Sequence, residues 1–333
     1  MITNDSPSFS LAIRPAFLKR GSEVAAQLQR DRSQTNALDD DAVSRYLAAS
    51  VADATWRAYR GDLDSFLAWG GTLPAAPANV AAYLASQAST KSPETLARRL
   101  VAIGQVHAWL GYPNPCRSPL VNRTMRGIRR VNGRPQRGVR PALYEDVLAM
   151  LAHMRGLRGV RDRALILIGF AGALRRCELV AIDRSDIEFG HEGLVLLVRR
   201  SKTDPGHRGR SVAVPFGKGI ACPVTALTDW LSAARIESGP VFRTVNKGGI
   251  VGGSRLSDQA VALLVKEYAH KTALPSEHYS GHSLRAGLTT SAAKAGVSSW
   301  KICQTTGHKS EAMLQRYIRD AEIFEGNAAG SVL

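Results

Sequence analysis

The sequence predicts two domains: an all-helical N-terminal domain, then a mixed α/β, mainly helical domain with a small antiparallel sheet. Three observations lead there. At 333 residues the chain is long for one compact core. From about residue 37 to 131, apolar side chains recur at helical spacing. Beyond 142, helical segments are interrupted by short β-branched runs with turn chemistry between them. The resulting boundaries are an extension over 1–36, a helical domain over 37–131, an Arg-rich linker over 132–141 and a second domain over 142–333.

The extension is polar, with room for one short amphipathic helix over 16–29. In the first domain, Asp53 is expected to cap a helix whose Trp56, Tyr59, Leu63, Phe66 and Leu67 are spaced at three and four residues, ended by Gly70-Gly71. Asn79 to Gln87 reads as a second helix. Ser92 heads a third, with Leu96, Leu100, Ile103 and Val106 on one face. Gly111-Tyr-Pro-Asn-Pro115 has loop chemistry, and Leu120 to Val131 closes the domain as a further helix.

Charge indicates the partner. Forty-four Lys and Arg against 28 Asp and Glu give a net charge of +16 and a pI near 10.2. Such a surplus favours a polyanion, because each neutralised phosphate releases counterions. Charge alone would also suit a ribosomal or anionic-membrane protein. Its distribution is more telling: between Thr95 and Tyr144 there are ten arginines and no acidic residue. Arg123, Arg126 and Arg130 share a helix face, and Arg134, Arg137 and Arg140 continue into Gly- and Pro-containing linker sequence. Solvated faces normally mix signs, so this stretch is expected to lie on DNA backbone, with the linker closing a clamp on the duplex. The four cysteines are scattered singly, which fits reduced thiols better than disulfides or a zinc site. No apolar leader or spanning segment is evident, so a soluble cytoplasmic protein is expected.

In the second domain, Tyr144 to Met154 and Val160 to Ala171 read as helices. Val180 to Glu188, Leu194 to Val198 and Arg210 to Val214 read as strands, with Lys202 in a hairpin turn marked by Asp204-Pro-Gly206. Helices are expected over Val224–Ser238, Ser257–His270, Ser283–Ala295, Trp300–Thr305 and Glu311–Ile323. Ser257 would cap the second of these and place Gln259 in its first turn.

The chemistry concentrates near the C-terminus. His282-Ser-Leu-Arg285 precedes Gly307-His308, and Tyr317 stands nine residues after His308. Upstream stand Gly172-Ala-Leu-Arg-Arg-Cys-Glu178 and Ser201-Lys-Thr203. Two arginines, a lysine and two histidines around one tyrosine suit attack on a phosphodiester. A free phenol titrates near pH 10, so it needs a base or a cationic surround to act near neutrality. A guanidinium donates in a planar fork and keeps its charge as charge builds on phosphate oxygens. His282 and Arg285 are three apart and leave one helix face. A zinc reading of His278 and His282 meets two objections: Ser280-Gly281 interrupts a helix between them, and no third ligand is near in sequence. No phosphate-binding Gly-rich loop ending in Lys-Ser/Thr is present either.

These residues resemble the tyrosine recombinase, or phage integrase, family, and within it the Cre-like members, over roughly residues 40 to 325. The resemblance implies a SAM-like core-binding domain, a catalytic domain and no cofactor. It implies Tyr317 as nucleophile forming a 3′-phosphotyrosine, with Arg175 and Arg285 on the non-bridging oxygens. Lys202 would be the general acid, His282 the base or proton relay, and His308 a hydrogen-bond donor to phosphate. Glu178 would support Arg175, which the family phrase Gly-x-x-Arg-x-x-Glu selects over Arg176. Cre-type members carry Trp where this chain has His308, the commoner residue in the family. The likeness also puts Gln259 in the major groove, where it could pair with adenine; a solvated helix start accounts for it equally well. Double-stranded DNA with a specific site, a tetramer on synapsis and a monomer in free solution are implied, with no membrane. Ile323, Phe324, Val332 and Leu333 would dock on a neighbouring subunit. A type IB topoisomerase-like enzyme shares the chemistry as a monomer and would relax any supercoiled plasmid. A catalytically silent DNA-binding regulator should have lost members of this set.

Overall fold

The computed structural model describes residues 46, 50–133, 139–199, 209–308, 310–314 and 317. The chain divides into two compact units, Met1–Gln136 and Arg137–Leu333.

The first unit is helical in its described part: α1 (Asp53–Ala68), α2 (Pro77–Gln87), α3 (Pro93–Trp109) and α4 (Pro119–Asn132). Proline opens α2, α3 and α4, where its missing N–H costs nothing. Ser92 and Ser118 cap α3 and α4 by accepting from the N–H groups of Thr95 and Leu120. Asp53 is not the cap of α1. Ala52 holds that position, and Asp53 lies in the first turn. Leu67 is 43% exposed; 3.6-residue periodicity rotates it off the stripe formed by Trp56, Leu63 and Phe66. The core packs Leu63 and Phe66 with Tyr83, Leu84, Leu96, Ile103, Val106, Val121 and Met125.

Two of the ten arginines, the exposed Arg98 and the buried Arg99, are tied to a carboxylate of this unit. Arg98 pairs with buried Asp62 at 3.0 Å, and Arg99 lies 3.8 Å from the same oxygen while donating to the Tyr83 hydroxyl at 2.6 Å. On α4 the division is clean. Val121, Met125 and Ile128 face inward, and Arg123, Arg126, Arg129 and Arg130 are exposed.

The second unit is built around α6 (Gly156–Ala171), whose Leu165, Ile166, Leu167 and Ile168 are all buried. Helix α5 (Tyr144–Leu151) precedes it, and the short α7 (Arg176–Ala181) comes after. A three-stranded antiparallel sheet is next, in the order β1 (Ile187–Gly190), β2 (Gly193–Val198), β3 (Arg210–Pro215). Its inner face pairs Leu194 with Val214 and Leu196 with Val212. The unit continues with α8 (Pro223–Ala233), a hairpin of β4 (Arg243–Val245) and β5 (Val251–Arg255), α9 (Asp258–Lys271), α10 (Gly281–Lys294) and α11 (Ser299–Thr306). Gly287 lets α10 lie against the backbone of Ala142, whose carbonyl oxygen a side chain there would strike.

Three sequence expectations need correction. Val180–Glu188 is not one strand: its start belongs to α7, a 3₁₀ turn covers Arg184–Asp186, and β1 begins only at Ile187. The β-branched Val180 and Ile182 are there for core packing, and capping by Glu178 outweighs their strand preference. Helix α8 stops at Ala233, short of Ser238, because Arg235 takes a left-handed φ of 51°. The β4–β5 hairpin was not anticipated, since Val251-Gly-Gly-Ser-Arg255 lacks strand propensity. Of the helix expected over Glu311–Ile323, Glu311–Met313 forms a 3₁₀ turn. Residues 315, 316 and 318–323, like residues 1–36, lie outside the described residues. All four cysteines are free thiols. Among the described residues no helix is long and apolar enough to cross a membrane.

Candidate active site

Glu178 organises the upstream half. Buried at 2% exposure, its carboxylate accepts from the Arg175 backbone N–H (3.0 Å) and pairs with the Arg175 guanidinium (2.7 Å). The first contact caps α7 and the second fixes the arginine, so one side chain sets both helix start and cation. Glu178 also pairs with Arg210 at 3.2 Å. Arg210 opens β3, and its other amino group donates to the Thr305 carbonyl at 2.9 Å, joining the sheet to the end of α11. Its buried Nε has no hydrogen-bond partner among the described residues. Burial, and Arg175 beyond it, push the Arg210 guanidinium below its ordinary pKa, against the pull of Glu178.

Arg210 was missed by sequence reasoning. Strand alternation marks it only as a boundary residue, and no local motif links it to Glu178, 32 positions away.

Helix α10 supplies His282 and Arg285. Ser280 caps it, accepting from the His282 N–H at 3.2 Å. His278 sits in a separate 3₁₀ turn, so the two histidines do not share a helix. Among the described residues no group of three His, Cys, Asp or Glu could hold a metal ion. Arg285 is 1% exposed, and its Nη1 donates to the Ala173 carbonyl at 2.8 Å. Ala173 presents that carbonyl from a left-handed φ of 45°, a conformation that costs a non-glycine residue roughly 1–2 kcal/mol. Nη2 of Arg285 is buried without a hydrogen-bond partner among the described residues. Burial, then the neighbouring Arg175, push the guanidinium down to about 10.

Tyr317 meets His282 directly, with Nε2 3.0 Å from the phenolic oxygen. His308 is preceded by Gly307, which ends α11 at a left-handed φ of 69° and lies so close to Arg210 that a side chain there would meet the guanidinium. The His308 and Tyr317 rings are 6.3 Å apart. Burial, then Arg285 and Arg175, lower the His308 pKa to about 4, and the same causes lower that of His282. Both rings are therefore neutral near pH 7 in the free protein.

Arg175, Glu178, His282, Arg285, His308 and Tyr317 thus come together in one cluster. Lys202, Arg134 and Arg137 lie outside the described residues. Gln259 is exposed in the first turn of α9, behind a Ser257 cap that accepts from the Ala260 N–H at 3.1 Å.

The phage integrase family pattern matches residues 142–322, more than half of the chain. The chain belongs to the phage integrase family. The integrase/recombinase xerD homolog of Selenomonas ruminantium is 37% identical over 331 residues, covering 96% of this chain and 97% of its own. The recombinase Cre of Escherichia phage P1 is 26% identical over 300 residues, covering 82% and 86% respectively. Among solved structures, XerH recombinase in a post-cleavage complex with a palindromic difH substrate superposes with a TM-score of 0.64 at 16% identity. It covers 97% of this chain and 93% of its own. At that identity the match speaks for the fold, a helical N-terminal unit with a mixed catalytic unit. The likeness drawn from the sequence therefore holds: this family member is a tyrosine-type site-specific DNA recombinase.

Proposed function

We propose that the chain cuts and rejoins DNA at a specific recombination site through a covalent 3′-phosphotyrosine. The observation that carries this is the 3.0 Å contact of His282 Nε2 with the Tyr317 oxygen, beside an Arg285 guanidinium whose Nη2 has no hydrogen-bond partner among the described residues. The Tyr317 oxygen attacks the scissile phosphorus and its proton passes to His282 Nε2. The bond from phosphorus to the 5′-oxygen breaks, and that oxygen takes a proton from Lys202. Arg175 and Arg285 hold the non-bridging oxygens, where negative charge grows in the transition state. His308 donates to a phosphate oxygen. Because the phosphotyrosine conserves the energy of the broken bond, the 5′-hydroxyl of another strand reverses the step without ATP. No cofactor is required.

Double-stranded DNA lies along the exposed arginines of α4 and the 132–141 segment, including Arg134 and Arg137, with Gln259 facing the major groove. Strand exchange proceeds through a Holliday junction in a tetramer of otherwise monomeric chains, docked through the apolar residues Ile323, Phe324, Val332 and Leu333. In support, a lambda integrase tetramer bound to a Holliday junction shares the fold, with a TM-score of 0.58 at 16% identity, covering 84% of this chain and 76% of its own. The cytoplasm is the compartment this chemistry fits.

A nicked suicide substrate carrying the cognate site tests the reading. The trapped adduct, digested and sequenced by mass spectrometry, should carry its nucleotide on the peptide containing Tyr317. An adduct on any other peptide refutes the assignment. The α4 face has its own test. The triple variant Arg123→Ala, Arg126→Ala, Arg130→Ala should bind specific and random duplexes more weakly by similar factors. Its log Kd against log salt slope should shrink by about 0.9 for each phosphate that is no longer neutralised. An unchanged slope would remove this face from the interface.

A further inference from the structure

Thr306 ends α11 with its side chain fully buried, and its hydroxyl touches two groups at 2.7 Å: the Ile302 carbonyl one turn back, and Nδ1 of His308. A hydroxyl has one proton. A carbonyl oxygen can only accept, so that proton goes to Ile302, as is usual for a helical threonine. The contact with His308 then requires the imidazole to be the donor. Nδ1 therefore carries the hydrogen, and in the neutral ring Nε2 holds a lone pair.

A lone pair cannot donate to a phosphate oxygen. We propose that Thr306 locks His308 in the Nδ1–H tautomer, so that His308 engages the scissile phosphate only by taking up a proton at Nε2 when DNA is bound. This rests on reading the pocket as a phosphodiester seat. The groups facing the ring are Arg285 and His282 from α10, Arg175 from the turn before α7, Arg210 from β3, and Tyr317. Burial first, then Arg285, Arg175, His282 and Arg210, keep His308 unprotonated in the free protein. An incoming phosphodiester opposes the same guanidiniums with negative charge and reverses the preference. The proton comes from solvent, the ring becomes an imidazolium with Nδ1–H on Thr306 and Nε2–H on phosphate, and the proton returns to solvent when the DNA leaves. Thr306 is thus a positioning residue that makes phosphate engagement proton-linked.

Two measurements test this. In single-turnover cleavage of the suicide substrate, Thr306→Val frees the ring to adopt the Nε2–H tautomer and donate while neutral. Above the pKa of His308 in the complex, the ratio of Thr306→Val to wild-type rate should rise about tenfold per pH unit. Thr306→Ser keeps the hydroxyl and should behave as wild type. A rate ratio independent of pH would overturn proton uptake. His282 titrates in all three proteins and cancels in the ratio. The second readout needs no DNA. In nitrogen-15 histidine spectra of the free full-length protein, the resonance missing from His308→Gln should report Nδ1–H in wild type and Nε2–H in Thr306→Val. An Nε2–H signal in wild type overturns the lock whether or not the protein cuts DNA. Failure to form any Tyr317 adduct counts against the recombinase reading and the proton uptake built on it, while the spectrum still decides the tautomer.

Discussion

Tyr317→Phe should bind its site with wild-type affinity and form no covalent adduct. The substitution removes one oxygen and keeps the ring that lies 6.3 Å from His308. What it deletes is the proposed nucleophile and the partner of His282 Nε2. Loss of a nucleophile that works as a unit with its base costs on the order of 10⁶ in rate, which puts residual cleavage below detection. Gel shift with intact duplex and adduct counting on the nicked substrate separate binding from chemistry. An undiminished adduct would mean that another hydroxyl attacks. Weakened binding in step with lost cleavage would assign Tyr317 to the DNA contact instead.

Arg285→Met should change catalysis and stability in opposite directions. The guanidinium is fully buried, has no carboxylate within its own hydrogen bonds, and leaves Nη2 unpartnered among the described residues. Burial has already pushed its pKa down to about 10, so the folded DNA-free protein holds this charge at a cost. A base whose folded pKa lies below its ordinary value carries the penalty at all pH values below about 10, and sheds it only as pH rises from there toward that ordinary value. Methionine fills similar volume without charge. Replacing buried charges by apolar residues is often stabilising by about 1–4 kcal/mol, and orphaning the Ala173 carbonyl returns about 1 kcal/mol of that. The expected net is a thermal midpoint a few degrees higher, with cleavage lower by at least about 10²–10³-fold. A lower midpoint would show that the arginine supports the fold.

Much of the catalytic unit was legible because its residues come in short phrases whose spacing survives folding. His282 and Arg285 share a face because any helix puts i and i+3 together, although Ser280 read only as a helix break and in fact caps α10, which begins two residues before the expected Ser283. Glu178 was readable as the support of Arg175 for the same local reason. What escaped depends on distance or context. Arg210 reaches Glu178 across 32 residues and Thr305 across 95, and nothing within a strand announces either contact. Thr306 looks like an ordinary helical residue until its single proton has to be allotted between two neighbours. The strand read into Val180–Glu188 failed because β-branched residues also serve a buried short helix. The acid-free arginine stretch overstated the DNA-facing charge, because Asp62, far upstream in sequence, claims Arg98 and Arg99.

The two strands flanking residues 200–208 are each fastened at the root. Arg199 leaves β2 paired with Asp186 at 2.5 Å and donates to the Ser185 hydroxyl at 2.9 Å, while Arg210 enters β3 held by Glu178 and the Thr305 carbonyl. With the ends secured independently, the register of Val198 opposite Arg210 does not rely on what connects them. Connector length becomes an adjustable part. The number of residues between 199 and 209 can then change while Arg175, Glu178 and Arg210 keep their contacts. The sheet edge can thus be varied in sequence length without loosening the ion pairs that hold the site together.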